Sequence, residues 1–273
     1  MRAPVVVSPE PSPNNPPWNS LAAVGVWLAS VLLILIVPTL FLLPYLASLK
    51  PPITDPDQLV EFAKTDPTSL FLQILAILPA HALTVVLVWL VVTRNRKFGF
   101  RKMLGWDSGG LSTWLSYPVI LVTFFALSIV IGSYFPEQEN DLIRVLQSSR
   151  AAVYIVAFVA TFTAPFVEEV VYRGVLYSAF QRTFGVPAAF VFVTLLFALV
   201  HVPQYWPSYS TIFLLGVLSL ALTAVRVKTG NLLPCVILHT LFNGFQSFIL
   251  ILEPALKNAE ANQQAAAILH FLK

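Results

Sequence analysis

Long apolar runs without a single charge, separated by short polar stretches, repeat along the whole chain. Residues 21–47 are uncharged and predict a first membrane helix, kinked or ended near Pro38 and Pro44. Residues 69–93, 113–134, 151–167, 183–200, 209–225 and 229–252 predict further spans. Each approaches the ~20 residues needed to cross ~30 Å of hydrocarbon. A transmembrane barrel would instead show short segments of alternating hydrophobicity. The pattern therefore predicts an all-α, polytopic transmembrane helical bundle with seven to eight passes. Pro165, Gly174 and Gly185 leave room for a broken or re-entrant element around 164–185, provided the freed backbone faces protein or a water-filled cavity.

The polar stretches divide the chain and orient it. Residues 1–20 are rich in Pro, Ser and Asn and predict a flexible cytoplasmic tail. Membrane helices follow over 21–149, a membrane core over 150–252, and a surface segment over 253–273 that holds His270. The first apolar run begins too late and is too long for a cleavable signal peptide. Arg94, Arg96, Lys97, Arg101 and Lys102 form the strongest basic cluster, in a short loop. The positive-inside rule puts that loop, and with it the N-terminus, in the cytoplasm of a multi-pass plasma-membrane protein. Loop 48–68, with Asp55, Asp57, Glu61 and Asp66, then lies outside. One conflict follows. Simple counting places Glu168 near the inner side and His201 near the outer side. A re-entrant element would reunite them, but it would move Arg226 and Lys228 to the wrong face.

Composition narrows the function classes. Of 273 residues, 57% are hydrophobic and only 11% charged, and the mean hydropathy is +0.79. A soluble domain is about 25% charged, so a water-soluble enzyme is excluded, as is disorder of the bulk. The net charge of +3 is too small and too scattered for a nucleic-acid footprint. The single cysteine, Cys235, excludes an internal disulfide or a Cys-x-x-Cys knuckle and reads as a small packed hydrophobe. No internal repeat supports a secondary transporter.

Polar groups inside these apolar runs need a reason to be there. Glu168 and Glu169 stand together at the end of one run, followed by Arg173. Glu169 and Arg173 are four apart and share a helix face, so they can pair. Glu168 is left without a partner in its helix and is the candidate general base. The plainer alternative is that both acids sit at the interface. His201 ends the run Phe197-Ala-Leu-Val, as a proton mover or as an interfacial residue. His239 and Asn243 share one face of the last span. They could hold a water or polarise a carbonyl, or simply bond a neighbouring helix. His81, mid-span, could line a cavity. Asn231 reads as the N-cap of the last helix, with Pro234 in its first turn.

The chain has no His-Glu-x-x-His, no Gly-x-Ser-x-Gly and no P-loop. Two Glu, two His and one Asn fit either a water-activating hydrolase with an oxyanion site or a Glu/His metal site. Three pieces together resemble the CPBP family of intramembrane proteases, the CAAX-processing and bacteriocin-processing enzymes. They are Glu168-Glu169-Val-Val-Tyr-Arg173, Phe197-Ala-Leu-Val-His201 and His239-Thr-Leu-Phe-Asn243. The resemblance covers about residues 150–250. It implies an intramembrane endopeptidase in which Glu168 activates water with help from His201. His239 and Asn243 would then stabilise the oxyanion, and Arg173 would hold Glu169. The implied enzyme needs no cofactor, with zinc on Glu168, His201 and His239 as the alternative. Its partners are the lipid bilayer and a protein or peptide substrate reached at or within the membrane, and no nucleic acid. The rival readings are a transporter or channel, and a non-catalytic immunity or scaffold protein that keeps the fold.

Overall fold

The computed structural model describes residues 10–271, with side chains as far as Glu253 except that of Leu111. Residues 1–9 of the expected tail lie outside the described residues, as do the side chains of 254–273, His270 among them. Among the described residues the chain is helical, with no strand beyond an isolated bridge between Ser12 and Asn15.

Helix α1 (Ser20–Ser48) makes the first pass and continues through Pro38 and Pro44 without ending there. Asn19 caps it by accepting from the Ala22 N–H at 2.9 Å. Helix α2 (Pro56–Thr65) lies in the loop, and α3 (Pro67–Leu75) with α4 (Ile77–Thr93) makes the second pass. The short α5 (Phe100–Leu104) precedes α6 (Leu111–Tyr134), the third pass. Helix α7 (Asp141–Ser148) is amphipathic and connects to the fourth pass. That pass is one helix of 35 residues, Arg150–Phe184. It comprises α8 (Arg150–Phe158), a π-helical stretch Val159–Thr163, α9 (Ala164–Glu169), a second π-helical stretch Val170–Leu176, and α10 (Tyr177–Phe184). The last three passes are α11 (Val186–Tyr205), α12 (Tyr209–Thr229) and the membrane part of α13 (Leu233–Phe271). The backbone of α13 continues unbroken to Phe271, so the expected C-terminal segment extends this helix.

Among the described residues, seven helices are therefore long and apolar enough to span a bilayer. Their outward faces carry exposed Leu, Val, Ile and Phe, among them Leu35, Val122, Ile129 and Phe248, as a bundle solvated by lipid requires. The fourth pass contains no re-entrant break; it continues through both glutamates. This removes the depth conflict. Glu168 lies 17 residues before the Gly185 turn and His201 lies 16 after it. In the antiparallel pair α10–α11 these positions share one depth.

Seven passes alternate between two ends of unlike charge. The Arg94–Lys102 cluster, Arg182 and Lys228 fall at the end where α1 begins. Asp55, Asp57, Glu61, Asp66, Glu137 and Glu139 fall at the other. Arg226 lies at the same end as Lys228, in the last turn of α12, but it is fully buried rather than in a loop.

The described part of the N-terminal segment is tied down rather than free. Trp18 is buried and donates its indole N–H to Val175 O at 3.0 Å. Pro13 O and Asn14 Oδ1 accept from Arg226 at 3.0 and 3.1 Å, and Arg182 donates to Pro16 O. Pro residues supply carbonyls without needing donors, which suits a strap laid over a buried cation. Two apolar cores flank the fourth pass. One gathers Trp18, Val88, Leu104, Val171, Leu176 and Phe197. The other gathers Tyr117, Phe124, Leu222, Leu238 and Phe242. Between them runs a buried polar seam.

Candidate active site

The seam starts with Glu169 and Arg173, both fully buried one helical turn apart. Arg173 Nη1 donates to Glu169 Oε1 at 2.8 Å. Its Nη2 donates to Ser219 Oγ at 2.7 Å and Ser219 O at 3.1 Å, and its Nε to Thr223 Oγ1 at 3.3 Å. Its guanidinium also stacks on Phe197, 4.6 Å from the ring centroid. An arginine in a membrane interior survives only when its donors are used in this way.

The same Glu169 Oε1 accepts from His239 Nδ1 at 2.9 Å. A carboxylate paired with Arg173 can only accept, so Nδ1 carries the proton and Nε2 is the free atom of the ring. That Nε2 faces Glu168 Oε2 at 3.9 Å. The gap is too long for a direct hydrogen bond and suits a shared water. Two consecutive glutamates thus straddle one imidazole, each facing one nitrogen. Their environments differ: the Glu169 side chain is 0% exposed and that of Glu168 is 24%. Glu168 also interacts electrostatically with His81 on α4, Tyr172 on its own pass and Tyr205 on α11.

His201 lies against Phe197, with ring centroids 4.8 Å apart, and Phe197 in turn touches His239 at 6.0 Å. His201 Nδ1 bonds Phe197 O at 2.7 Å. A carbonyl only accepts, so this ring too is protonated at Nδ1 and keeps Nε2 free. The Phe197-x-x-x-His201 motif is a single unit: the phenyl ring spaces Arg173, His201 and His239, and the carbonyl sets the tautomer.

The π-helical stretches complete the site. Ala164 N donates to Val159 O, five residues back. In an α-helix it would take Ala160 O, which accepts instead from Asn243 Nδ2 at 2.8 Å. One amide hydrogen of Asn243 is thereby fixed and the second remains. In the second stretch Tyr177 N donates to Tyr172 O, and Arg173 O accepts from Arg226 Nε at 3.3 Å. Each widened turn thus frees a carbonyl for a side chain from α12 or α13.

Sequence reasoning missed Arg226, Ser219, Thr223 and Thr163. Thr163 Oγ1 meets His81 Nδ1 at 2.9 Å, which places His81 behind the first π stretch. Asn231 does not cap α13. Its amide donates to Thr229 O at 2.8 Å, while Leu232 O accepts the first helical N–H groups and Gly105 O takes Leu232 N at 2.8 Å. Gly105, at φ +76°, admits no side chain there: a Cβ would stand 2.7 Å from Asn231 Oδ1.

The donor set does not fit a zinc ion as arranged. Among the described residues no three His, Cys, Asp or Glu side chains group closely enough to share a metal, and Glu169 is committed to Arg173 and His239.

No curated protein and no solved structure matches the chain. A family described as type II CAAX prenyl endopeptidase Rce1-like matches residues 150–245. That range begins at the first residue of α8 and ends two residues beyond Asn243, so it encloses every residue of the seam and leaves the first three passes outside. Over residues 150–245 the chain is therefore similar to the family of type II CAAX prenyl endopeptidases described as Rce1-like.

Proposed function

We propose that this chain is a glutamate-dependent intramembrane endopeptidase that needs no metal. The observation that carries the reading is the placement of Glu168 Oε2 3.9 Å from His239 Nε2, close enough for one water to bridge both, with Glu169 Oε1 already engaged by Arg173 and His239. In the proposed reaction Glu168 takes a proton from a water oriented by the free Nε2 of His201. The resulting hydroxide attacks the scissile carbonyl. The oxyanion is held by the second N–H of Asn243 and by His239 in its imidazolium form, which keeps Nδ1–H on Glu169 and gains a solvent proton at Nε2. Collapse breaks the C–N bond, and Glu168 returns its proton to the leaving amine.

The substrate is a protein or peptide segment reached at or within the bilayer. With the basic end in the cytoplasm, as the positive-inside rule favours, the N-terminus is cytoplasmic and the last pass ends outside. The test uses purified protein with a farnesylated CAAX-box peptide and its unprenylated twin. Glu168→Gln keeps shape but loses the proton acceptor, and cleavage should fall by about 10²–10⁴ while the fold survives. Washed wild type should keep its rate in chelator. Cleavage retained by Glu168→Gln would overturn the assignment. Loss of cleavage on chelation, restored by zinc, would overturn the metal-free version.

A further inference from the structure

The first three passes lie outside the family match, and they hold the densest charge in the molecule. Arg94, Arg96, Lys97, Arg101 and Lys102 fall within nine residues at one end of the bundle, and all are exposed. Arg94, Asn95 and Arg96 take left-handed φ values of 45°, 53° and 74°. L-residues adopt this conformation only when the surroundings hold it. Here Thr93 does so, accepting from Arg96 N at its hydroxyl and from Phe98 N at its carbonyl. The turn is therefore built, and it leaves its cations exposed. Among the described residues the ion pairs involve Arg144, Arg173 and His239, so none of these five cations is neutralised from within.

Two of them line a shallow, open depression together with Pro13, Trp106, Asp107 and Asn231. The one acid there, Asp107, turns its carboxylate into its own loop, accepting from Gly109 N at 2.9 Å. The depression thus offers two unpaired cations and an aromatic edge, the equipment for a phosphate-bearing anion. A membrane lipid fits better than a soluble anion. Exposed apolar side chains reach the same end of the bundle, Leu21 on α1 and Leu90 on α4, and can run beside acyl chains. Trp89, under the Arg96 guanidinium at 5.8 Å, and Trp106 stand where interfacial aromatics belong.

The segment also touches the catalytic helices. Gly105 O holds the first N–H groups of α13, and Trp106 meets Phe166 at 6.2 Å, two residues before Glu168. Gly174 lets Leu104 approach to within 3.1 Å of where a Cβ would stand. We propose that residues 94–107 bind the headgroup of an anionic glycerophospholipid, with Arg101 and Lys102 as its ligands, and that occupancy steadies the helices bearing Glu168 and His239.

The test needs no protease assay, so it stands or falls independently of the proposed reaction. Purified full-length protein in neutral detergent is titrated with phosphatidylglycerol, phosphatidylcholine or inorganic phosphate. Retained lipid is read by native mass spectrometry and stability by the thermal midpoint. Phosphatidylglycerol should be retained and should raise the midpoint, and phosphatidylcholine should do neither. Arg101→Gln with Lys102→Gln, both exposed, should weaken retention about 10–30-fold, whereas Arg94→Gln with Arg96→Gln should weaken it less. Equal retention of the two lipids would overturn the proposal, as would unchanged retention by the Arg101/Lys102 variant. An equal midpoint shift with phosphate alone would show a soluble-anion site and overturn the lipid assignment.

Discussion

The fourth pass widens twice, and the two widened turns do different things with the same backbone change. In the second, Val170–Leu176, every residue is buried. Its freed carbonyl on Arg173 goes to Arg226, whose other donors end on Ser178 and on the N-terminal strap. In the first, Val159–Thr163, only Val159 is buried. Its freed carbonyl on Ala160 goes to Asn243, which keeps one N–H unspent. A closed network with its donors used can only hold shape. An open one with a fixed but incompletely used donor can do chemistry. Consecutive residues Glu168 and Glu169 fall on the two sides of this divide.

The closed region is the one whose loss should cost most. Arg173→Ala leaves Glu169 buried with an uncompensated charge and strips the donors from Ser219 and Thr223. Breaking one member of such a pair costs about 3–5 kcal/mol, a large share of a typical 5–15 kcal/mol stability. Arg173→Ala should therefore show a sharply lower thermal midpoint in detergent and little folded protein to assay. Normal folding with slowed cleavage alone would move Arg173 from scaffold to reaction and erase the comparison.

The open region should respond in the opposite way. Asn243→Ala removes the proposed oxyanion donor and leaves Ala160 O without its partner. The lost donor should lower kcat by about 10²–10³. The orphaned carbonyl should cost only about 1–3 kcal/mol of stability. A variant that folds near normally, keeps KM and loses kcat would sharpen the contrast. An Asn243→Ala protein as unstable as Arg173→Ala would make both widened turns scaffolds.

Much of this was legible in the chain, for physical reasons. The passes were readable because uncharged runs of about 20 residues have few other stable solutions. The candidate site was readable because Glu, His and Asn are too costly in hydrocarbon to lack buried partners. The boundary at 167 was misjudged because Glu169 and Arg173 neutralise each other inside the bundle, so a charged stretch continues a membrane helix. Arg226 looked like a loop cation because its partners, Pro13 and Asn14, lie more than 200 residues away. The widened turns left almost no trace. Only Pro165 hinted at one, since its missing N–H already releases a carbonyl of the preceding turn. Cap chemistry at Asn231 was outvoted by Gly105 O, a tertiary partner that no local pattern contains.

The smallest predicted effect tests whether the open region extends to His81. Its Nδ1 meets Thr163 Oγ1 at 2.9 Å, and that hydroxyl also donates to Val159 O at 3.2 Å, the carbonyl at the start of the first widened turn. Removing the imidazole leaves the hydroxyl with one partner, so His81→Ala should cost about 1 kcal/mol of stability and slow cleavage no more than about tenfold. His81→Asn places an amide nitrogen near the position of Nδ1 and should restore most of the rate. Thr163→Val should reproduce His81→Ala, and the double variant should be no worse than either single one, because both remove one shared contact. That non-additivity, measured as kcat and thermal midpoint across the four proteins, identifies His81 as a brace for the turn that positions Asn243. If His81→Ala instead falls to the level of Glu168→Gln with its fold intact, the brace is the wrong description. The Glu168 charge that already reaches His81 would then belong to a catalytic set that includes a residue from outside the family match.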